Sequence, residues 1–385
     1  MNPRALEPVR CPLAPEPVRA LVPAVRQALA GERSLLPLPP DDPAAADRLL
    51  AAARPQDGID PQVAVVIGTS GSTGRSKGTA LTPAALSASA RATHEYLGGA
   101  GHWLLALPVH HIAGWQVIVR TLVAGTHLST VDASAGFTAA AFRAAAAAMP
   151  SGRRYTAMVP TQLARVLDDP AATAAAASFD AIIVGGAAAP ARLLAAATAA
   201  GIRTSTTYGM SETSGGCVYD GTPLPGVRID IAGGTIRLTG PMLASGYLHE
   251  PELTAAAFVD GWFLTRDLGR WSAGRLDVLG RADDLVISGG EKIAPALVER
   301  ALLSVPGIRA ACVVGLPDPE WGHVVAAVVA GPAGIEPAAA SAVERTVGRR
   351  AVPKRMLVRD ALPMLASGKV DRAGITRLLE AQLSS

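Results

Sequence analysis

The chain has 385 residues, too many for one hydrophobic core, and its 49% hydrophobic and 17% charged residues give a globular balance that excludes a disordered chain. A formal net charge of +3 offers no electrostatic case for nucleic acid as a main partner. The mean hydropathy of +0.29 overstates membrane character because much of the apolar count is alanine, and Pro108, His110, His111 and several glycines interrupt the longest uncharged stretch, residues 96–119, so no membrane span is expected.

Residues 1–20 carry Glu, Arg and five prolines where the apolar part of a secretory leader would stand, which points to the cytoplasm. Cys11, Cys217 and Cys312 are odd in number and widely spaced, as reduced thiols are, and fit neither a disulfide framework nor a zinc site. An apolar run at 64–67 reads as a buried strand and leads into Thr69-Ser70-Gly71-Ser72-Thr73-Gly74-Arg75-Ser76-Lys77-Gly78. Glycine lets the backbone come close to a ligand, and the hydroxyls and Lys77 add donors and a positive charge, so this loop is built to hold phosphate. It is not a Walker A loop, because Ser76 stands where the second Gly is required and Gly78 where Ser or Thr should follow Lys77. The pattern at 83–96 then predicts a helix.

Further strands are expected at 103–107, 126–129, 155–159, 181–184 and 203–207, with alanine-rich helices at 138–148 and 190–200 between them, an α/β alternation. Gly185-Gly186-Ala187 reads as a strand-to-helix turn on which a flat ring can lie. Thr206-Thr207-Tyr208-Gly209-Met210-Ser211-Glu212-Thr213 reads as a polar loop after a strand. Beside a polyphosphate, its single carboxylate Glu212 would suit Mg2+, and Tyr208 could stack on a base. From Gly226 the texture turns to short β pieces at 228–231, 235–239 and 276–278. Asp267 reads as a loop carboxylate able to accept from both hydroxyls of a ribose, or as a solvated aspartate. The fold class is α/β: a large N-terminal α/β domain with a small β-rich region over residues 1–282, and a small α+β domain over 283–385.

The order of these pieces resembles the adenylate-forming superfamily of acyl-CoA synthetases, peptide-synthetase adenylation domains and beetle luciferases. The matching motifs are 69–78, Leu107-Pro-Val-His-His-Ile112, 185–190, Tyr208-Gly-Met-Ser-Glu-Thr213, 265–270, Gly280-Arg-Ala-Asp-Asp-Leu-Val-Ile-Ser-Gly-Gly-Glu-Lys292 and Ser367-Gly-Lys369. Within the superfamily, the short chain and the run 107–120 are most similar to the actinobacterial 2-succinylbenzoate-CoA ligases of menaquinone biosynthesis. Only 68 residues precede the phosphate loop, so a trimmed N-terminal subdomain is expected and oligomer contacts of longer relatives do not carry over.

The resemblance implies two half-reactions: attack of a carboxylate on the α-phosphate of ATP to give an acyl-adenylate and pyrophosphate, then displacement of AMP by the thiol of coenzyme A. It implies ATP contacts from Thr69, Ser70, Gly71, Ser72, Thr73, Gly74 and Lys77, from Gly185, Gly186 and Ala187, from Thr207, Tyr208, Gly209, Met210 and Ser211, and from Asp267 and Arg281. Mg2+ would fall to Glu212 and Thr69. Lys369 matches the lysine that stabilises the adenylation transition state, and the catalytic set is completed by Glu212 and His111. Asp283 matches the hinge about which a mobile C-terminal domain turns. Ser288, Gly289, Gly290 and Lys292 would then approach the coenzyme A channel, and Arg345, Arg349, Arg350, Lys354 and Arg355 form a basic cluster that is either a solvated face or an attractor for its phosphates.

His111 falls where aryl-CoA ligases place a residue against the aromatic ring, and Trp115, one helical turn on, would face the same way. His110, Gln116 and Gly215 complete the expected acid pocket. Arg120 is either a donor for the second carboxylate or a structural or surface arginine. Alternatives are another aryl- or acyl-CoA ligase, an enzyme that loads a carrier protein, and a non-catalytic nucleotide-binding relative, which would be expected to lose Lys369 or Glu212. The partners are small molecules, and a homodimer is compatible with the sequence.

Overall fold

The computed structural model describes residues 3–70, 76–364 and 370–382. The expectations for Gly71, Ser72, Thr73, Gly74 and Lys369 therefore lie outside the described residues. The chain divides into two compact units, one of residues 1–189, 193–230 and 237–265, the other of 190–192, 231–236 and 266–385. Asp283, where the sequence places the domain boundary, lies inside the second unit.

The first unit opens with β1 (Leu6–Arg10), α1 (Pro15–Leu29), β2 (Ser34–Leu38) and α2 (Pro43–Ala53), followed by β3 (Val65–Ser70), β4 (Ser76–Leu81) and α3 (Pro83–Tyr96). Next come β5 (His102–Leu105), α4 (Ile112–Ala124), β6 (Leu128–Thr130), α5 (Ala139–Ala147), β7 (Arg154–Met158), α6 (Pro160–Leu167), α7 (Pro170–Ala177), β8 (Ala181–Val184), α8 (Ala191–Ala199), β9 (Thr204–Met210), β10 (Gly215–Tyr219) and β11 (Thr222–Pro223). Several helices start on a side-chain cap. Thr82 accepts the amide of Ala85 (3.1 Å) ahead of Pro83, and Thr138 does the same for Ala141 (3.1 Å).

Strands β5 to β11 form one seven-stranded sheet in the order β11-β10-β9-β8-β7-β5-β6. It is parallel from β9 to β6, and β10 runs antiparallel to β9. The side chains of its central strands alternate between two buried layers. Trp103, Leu105, Tyr155 and Ile183 join one core with α1, α3 and α4, whereas Leu104, Met158, Ile182 and Val184 join the other with α5, α6 and α7.

Three sequence expectations are corrected here. Residues 76–81 are a strand, not the end of a loop: β4 pairs antiparallel with β3, setting Thr69 opposite Lys77, before α3 begins. The cause is packing, since Thr79, Ala80 and Leu81 are buried and a Cβ on Gly78 would lie 2.5 Å from Val66 Cγ1. Tyr208, Gly209 and Met210 lie on β9 itself, not in a loop after it. Asp267 is also a strand residue, within the eleven-residue strand Trp262–Ser272, where Phe263, Thr265 and Asp267 alternate as its buried positions.

Before that strand the chain forms β12 (Arg228–Ala232), β13 (Thr235–Thr239), β14 (Gly246–Tyr247), α9 (Pro251–Ala257) and β15 (Phe258–Val259). A five-stranded sheet, β1-β2-β3-β4-β14, ends with β14 antiparallel to β4. The strand Trp262–Ser272 is β16 and β17 is Arg275–Arg281, paired so that Asp267 faces Arg281. The second unit continues with β18 (Val286–Ser288), β19 (Glu291–Ile293), α10 (Pro295–Leu303), β20 (Ala310–Asp318), β21 (Gly322–Ala330), α11 (Glu336–Thr346), β22 (Arg355–Arg359) and α12 (Arg372–Ala381). Its sheet packs α10 and α11 through Val298, Leu302, Val313, Val325 and Val343 on one face, and α12 through Ile375, Leu379, Leu316 and Val328 on the other. No helix among the described residues is long and apolar enough to cross a membrane.

Candidate active site

At the carboxyl ends of parallel strands in an open α/β sheet, adjacent connections part and leave room for a ligand. Gly185, just past β8, donates its amide to Met158 O (3.1 Å) and lies against Thr207 so closely that a Cβ would overlap the threonine methyl. On the other side of Thr207, a Cβ on Gly216 would overlap Thr207 Oγ1. That hydroxyl is buried without a partner among the described residues. Gly186 is left-handed (φ +79°) and, like Ala187, exposed. The two glycine-flanked elements thus meet at a polar atom that still has hydrogen bonds to make.

Glu212 sits in the 3-10 turn Ser211–Thr213 that ends β9 and is 7% exposed. The turn is held from several sides. Met210 N donates to Thr213 Oγ1 (2.9 Å), Thr213 Oγ1 donates to Gly215 O (2.7 Å), and Ala244 N donates to Glu212 O (2.9 Å). Ser214 is left-handed (φ +52°), and its carbonyl accepts from Gln116 Nε2 (2.8 Å) and Ser89 Oγ (3.0 Å). Glu212 Oε1 accepts the Tyr247 hydroxyl at 2.8 Å and stands 3.8 Å from Lys77 Nζ, which itself lies 4.0 Å from the centre of the Tyr247 ring. Among the described residues, Glu212 Oε2 has no hydrogen-bond partner. Thr69 Oγ1 donates to Lys77 O (3.3 Å), which leaves its lone pairs available to a cation. Lys77 thus stands beside Glu212 and pairs with Thr69 across the β3–β4 ladder. Tyr247 was not anticipated.

Helix α4 carries the expected acid pocket. His111 is its N-cap and accepts the Trp115 amide through its carbonyl (3.0 Å). The rings of His110 and His111 are tilted against one another with centroids 4.2 Å apart, and burial pulls the His110 imidazole down to about 4. A Cβ on Gly114 would overlap the carbonyls of Leu107 and Pro108, so glycine there lets the helix start against the segment leaving β5. Trp115 is buried in the core, and Gly215 (φ +94°) would place a Cβ 3.4 Å from Gln116 Cγ.

Arg120, one turn after Gln116, is 3% exposed, which rules out the surface reading. Its Nη2 donates to Tyr219 Oη (3.2 Å), and its guanidinium lies 5.0 Å from the centre of the Trp103 ring. Among the described residues no carboxylate comes within ion-pair reach of it, and its Nε has no partner. Burial lowers its pKa from the ordinary arginine value. Trp103, Tyr219 and His94, which receives the Trp103 indole N–H at 3.2 Å, complete this buried group. None was legible as functional, because each reads as an ordinary core residue. Of the seven buried side-chain polar atoms without a partner among the described residues, four, His110 Nδ1, Trp115 Nε1, Gln116 Oε1 and Arg120 Nε, belong to this one segment. So many unpaired buried polar atoms are costly unless a ligand or water completes them.

In the second unit, Asp267 Oδ1 lies 3.7 Å from Arg281 Nη1 across the β16–β17 ladder, and Arg281 Nη2 reaches Asp283 Oδ2 at 3.2 Å. Burial pushes the Asp283 carboxyl up, but the hydrogen bonds of Arg281 and Arg266, the Arg281 charge and a backbone hydrogen bond jointly outweigh it and leave Asp283 below the usual range. Ser288 is buried on β18. Gly289 (φ +55°) would place a Cβ 2.6 Å from Trp321 Cε3, and its carbonyl accepts from Arg350 Nη1 (2.9 Å). Gly290 is left-handed (φ +81°), and Lys292 on β19 is exposed. From the same basic cluster, Lys354 Nζ lies 4.1 Å from the centre of the Trp321 ring. All three cysteines are free and buried, and burial pushes Cys217 and Cys312 up to about 12, which makes them poor nucleophiles.

Residues 19–248 match the model of the AMP-binding enzyme family, and residues 297–369 match that of the AMP-binding enzyme C-terminal domain. The chain is 47% identical over 366 residues to the probable 2-succinylbenzoate–CoA ligase of Mycobacterium tuberculosis, an alignment spanning 93% of this chain and 94% of that one. Wild-type E. coli MenE with a bound m-phenylether-linked analogue of OSB-AMS is a structural neighbour at 25% identity and a TM-score of 0.76, covering 99% of this chain and 89% of its own. The o-succinylbenzoate CoA synthetase of Bacillus subtilis in complex with the acyl-adenylate intermediate OSB-AMP is another, at 27% identity and a TM-score of 0.71, covering 92% and 80%. The chain belongs to the AMP-binding enzyme family.

Proposed function

We propose that this protein is an ATP-dependent acid–thiol ligase that adenylates 2-succinylbenzoate and passes the acyl group to coenzyme A, releasing pyrophosphate and AMP. The observation that carries the choice of acid is Arg120, a guanidinium buried without a carboxylate on the helix whose Gln116 holds the turn after Glu212. A dicarboxylic aromatic acid supplies what that cation lacks: its succinyl carboxylate reacts, and its ring carboxylate pairs with Arg120. His110, His111 and Trp115 would border the ring, with Gly215 leaving space beside Gln116.

In the first half-reaction the succinyl carboxylate oxygen bonds to the α-phosphorus while the bond to the β-phosphate oxygen breaks. Lys77 and the glycine-rich sequence 69–78 would bind the triphosphate, and Thr207 and the 185–187 turn the adenine side; the ribose role of Asp267 and Arg281 is carried from the family motifs. Glu212 and Thr69 fit Mg2+. Mg2+ prefers hard oxygen donors, keeps several waters and shares substrate phosphates, so it needs few protein ligands. When bound, that ion supplies charge neutralisation on the phosphates. In the second half-reaction the coenzyme A thiolate attacks the acyl carbon and AMP leaves. The roles of Lys369 in adenylation, of Asp283 as a hinge and of Ser288 to Lys292 beside the thiol channel are carried from the family motifs. Such an enzyme works in the cytoplasm.

The test compares 2-succinylbenzoate with benzoylpropionate, which keeps the reacting chain but lacks the ring carboxylate, by pyrophosphate release with and without coenzyme A. Benzoylpropionate should be poorer by at least about tenfold, the equivalent of one charge-assisted hydrogen bond of roughly 1.5–3 kcal/mol. Arg120→Met should erase that difference. A clear preference for medium- or long-chain fatty acids would overturn the assignment of the acid.

A further inference from the structure

We propose that Tyr247 is a positioning residue that keeps Lys77 and Glu212 from neutralising one another, so that the carboxylate stays a ligand for a divalent cation and the ammonium a partner for phosphate. This inference rests on the reading of Glu212 as the group that meets the metal. An ammonium and a carboxylate in a partly buried site ordinarily close to a contact pair at about 2.8 Å. Here they are held at 3.8 Å, and Tyr247 occupies both. Its hydroxyl donates to Glu212 Oε1 at 2.8 Å, and its ring face holds Lys77 Nζ at 4.0 Å from the centroid. One carboxylate oxygen is thereby fixed, while Oε2 has no partner among the described residues.

The tyrosine is itself held firmly. On β14 it stands opposite Thr79 of β4, which makes Lys77, two residues along the same face, its diagonal neighbour. Its amide donates to Thr254 Oγ1 (2.9 Å), its ring meets Phe258 edge-on at 5.9 Å, and it is 7% exposed. The preceding Gly246 is left-handed (φ +142°) and so close to Thr254 that a Cβ would overlap it. The ring therefore cannot follow the lysine toward the carboxylate.

The test measures ATP binding calorimetrically, once in EDTA and once in excess Mg2+, and takes the ratio of the two affinities as the metal increment. Tyr247→Phe keeps the ring over Lys77 and removes only the hydroxyl. It should cut the increment by about tenfold while changing binding in EDTA by no more than about twofold. Adding Lys77→Met to Tyr247→Phe should restore the increment, because the competing cation is gone, while weakening binding in EDTA. A residue of merely structural importance would show no such rescue. If Glu212→Gln abolishes the increment but Tyr247→Phe leaves it intact, or if Lys77→Met fails to restore it, the role of Tyr247 is overturned and the reading of Glu212 stands. If Glu212→Gln leaves the increment unchanged, the reading of Glu212 falls and the role of Tyr247 with it.

Discussion

His94 accepts the indole N–H of Trp103 on Nε2, so its ring must be neutral there, and burial with the nearby Arg120 guanidinium pulls its pKa down to about 4. The unfolded chain takes up this proton near pH 6.5, the folded protein only near 4, so the histidine favours folding above pH 6.5 and that contribution is lost as pH falls toward 4. For a residue 8% exposed the loss approaches about 3 kcal/mol. His110 adds to the same window. His94→Gln keeps an acceptor for Trp103 but cannot be protonated, so urea midpoints measured from pH 7 to 4.5 should fall less steeply than in the wild type. Equal slopes would show that His94 carries none of the acid sensitivity. Individual chemistry was legible in sequence where it came in dense polar runs. Glu212 among hydroxyls and Lys77 among glycines could be read, whereas Tyr247, 35 residues from Glu212, sits in an ordinary Gly-Tyr-Leu with nothing local to mark it. Its role depends on the β14–β4 pairing, which no short window contains.

Elements with their own start signals were read well. Helix α3 begins at Pro83 after a Thr82 cap and ends at Tyr96, as expected, and β8 coincides with the apolar run 181–184. Strand β4 was missed because Ser76, Lys77 and Gly78 have loop composition, and its partner β3 makes it a strand. The turn carrying Glu212 similarly depends on two close backbone approaches. Gly209 on β9 lies opposite Gly216 on β10, and a Cβ there would overlap the Gly215 carbonyl. Backbone cannot yield as a flexible side chain can. Gly209→Ala should therefore cost about 1–3 kcal/mol of stability in urea unfolding and displace the turn, weakening ATP binding in parallel. An alanine variant with wild-type binding would show that the turn tolerates a shift in this ladder.

At the scale of the whole molecule, family-ordered motifs from residue 69 to residue 369 made the enzyme class legible before any contact was known. The same order predicts two opposite lesions. Lys369→Ala should slow adenylate formation by about a hundredfold to a thousandfold while largely sparing thioester formation from supplied acyl-adenylate. Asp283→Pro, which fixes φ near −65°, should instead let adenylate form and stall the thioester step. Single-turnover assays of each half-reaction separate the two, and equal losses in both steps for either variant would remove the role assigned to that residue.

The unpaired polar atoms of α4 also say something about selection. Arg120 could be exchanged for an apolar side chain of similar volume, and Tyr219 would still share its hydroxyl with Thr93 at 3.2 Å. Replacing buried charge with hydrocarbon is often neutral or stabilising. A lineage under pressure for thermal endurance alone would be expected to lose this arginine early. On the proposed role of Arg120 in holding the second carboxylate, this is a place where the fold gives up robustness in the empty state to discriminate among acids, and homologues that relax their choice of acid are where hydrocarbon should appear at this position first.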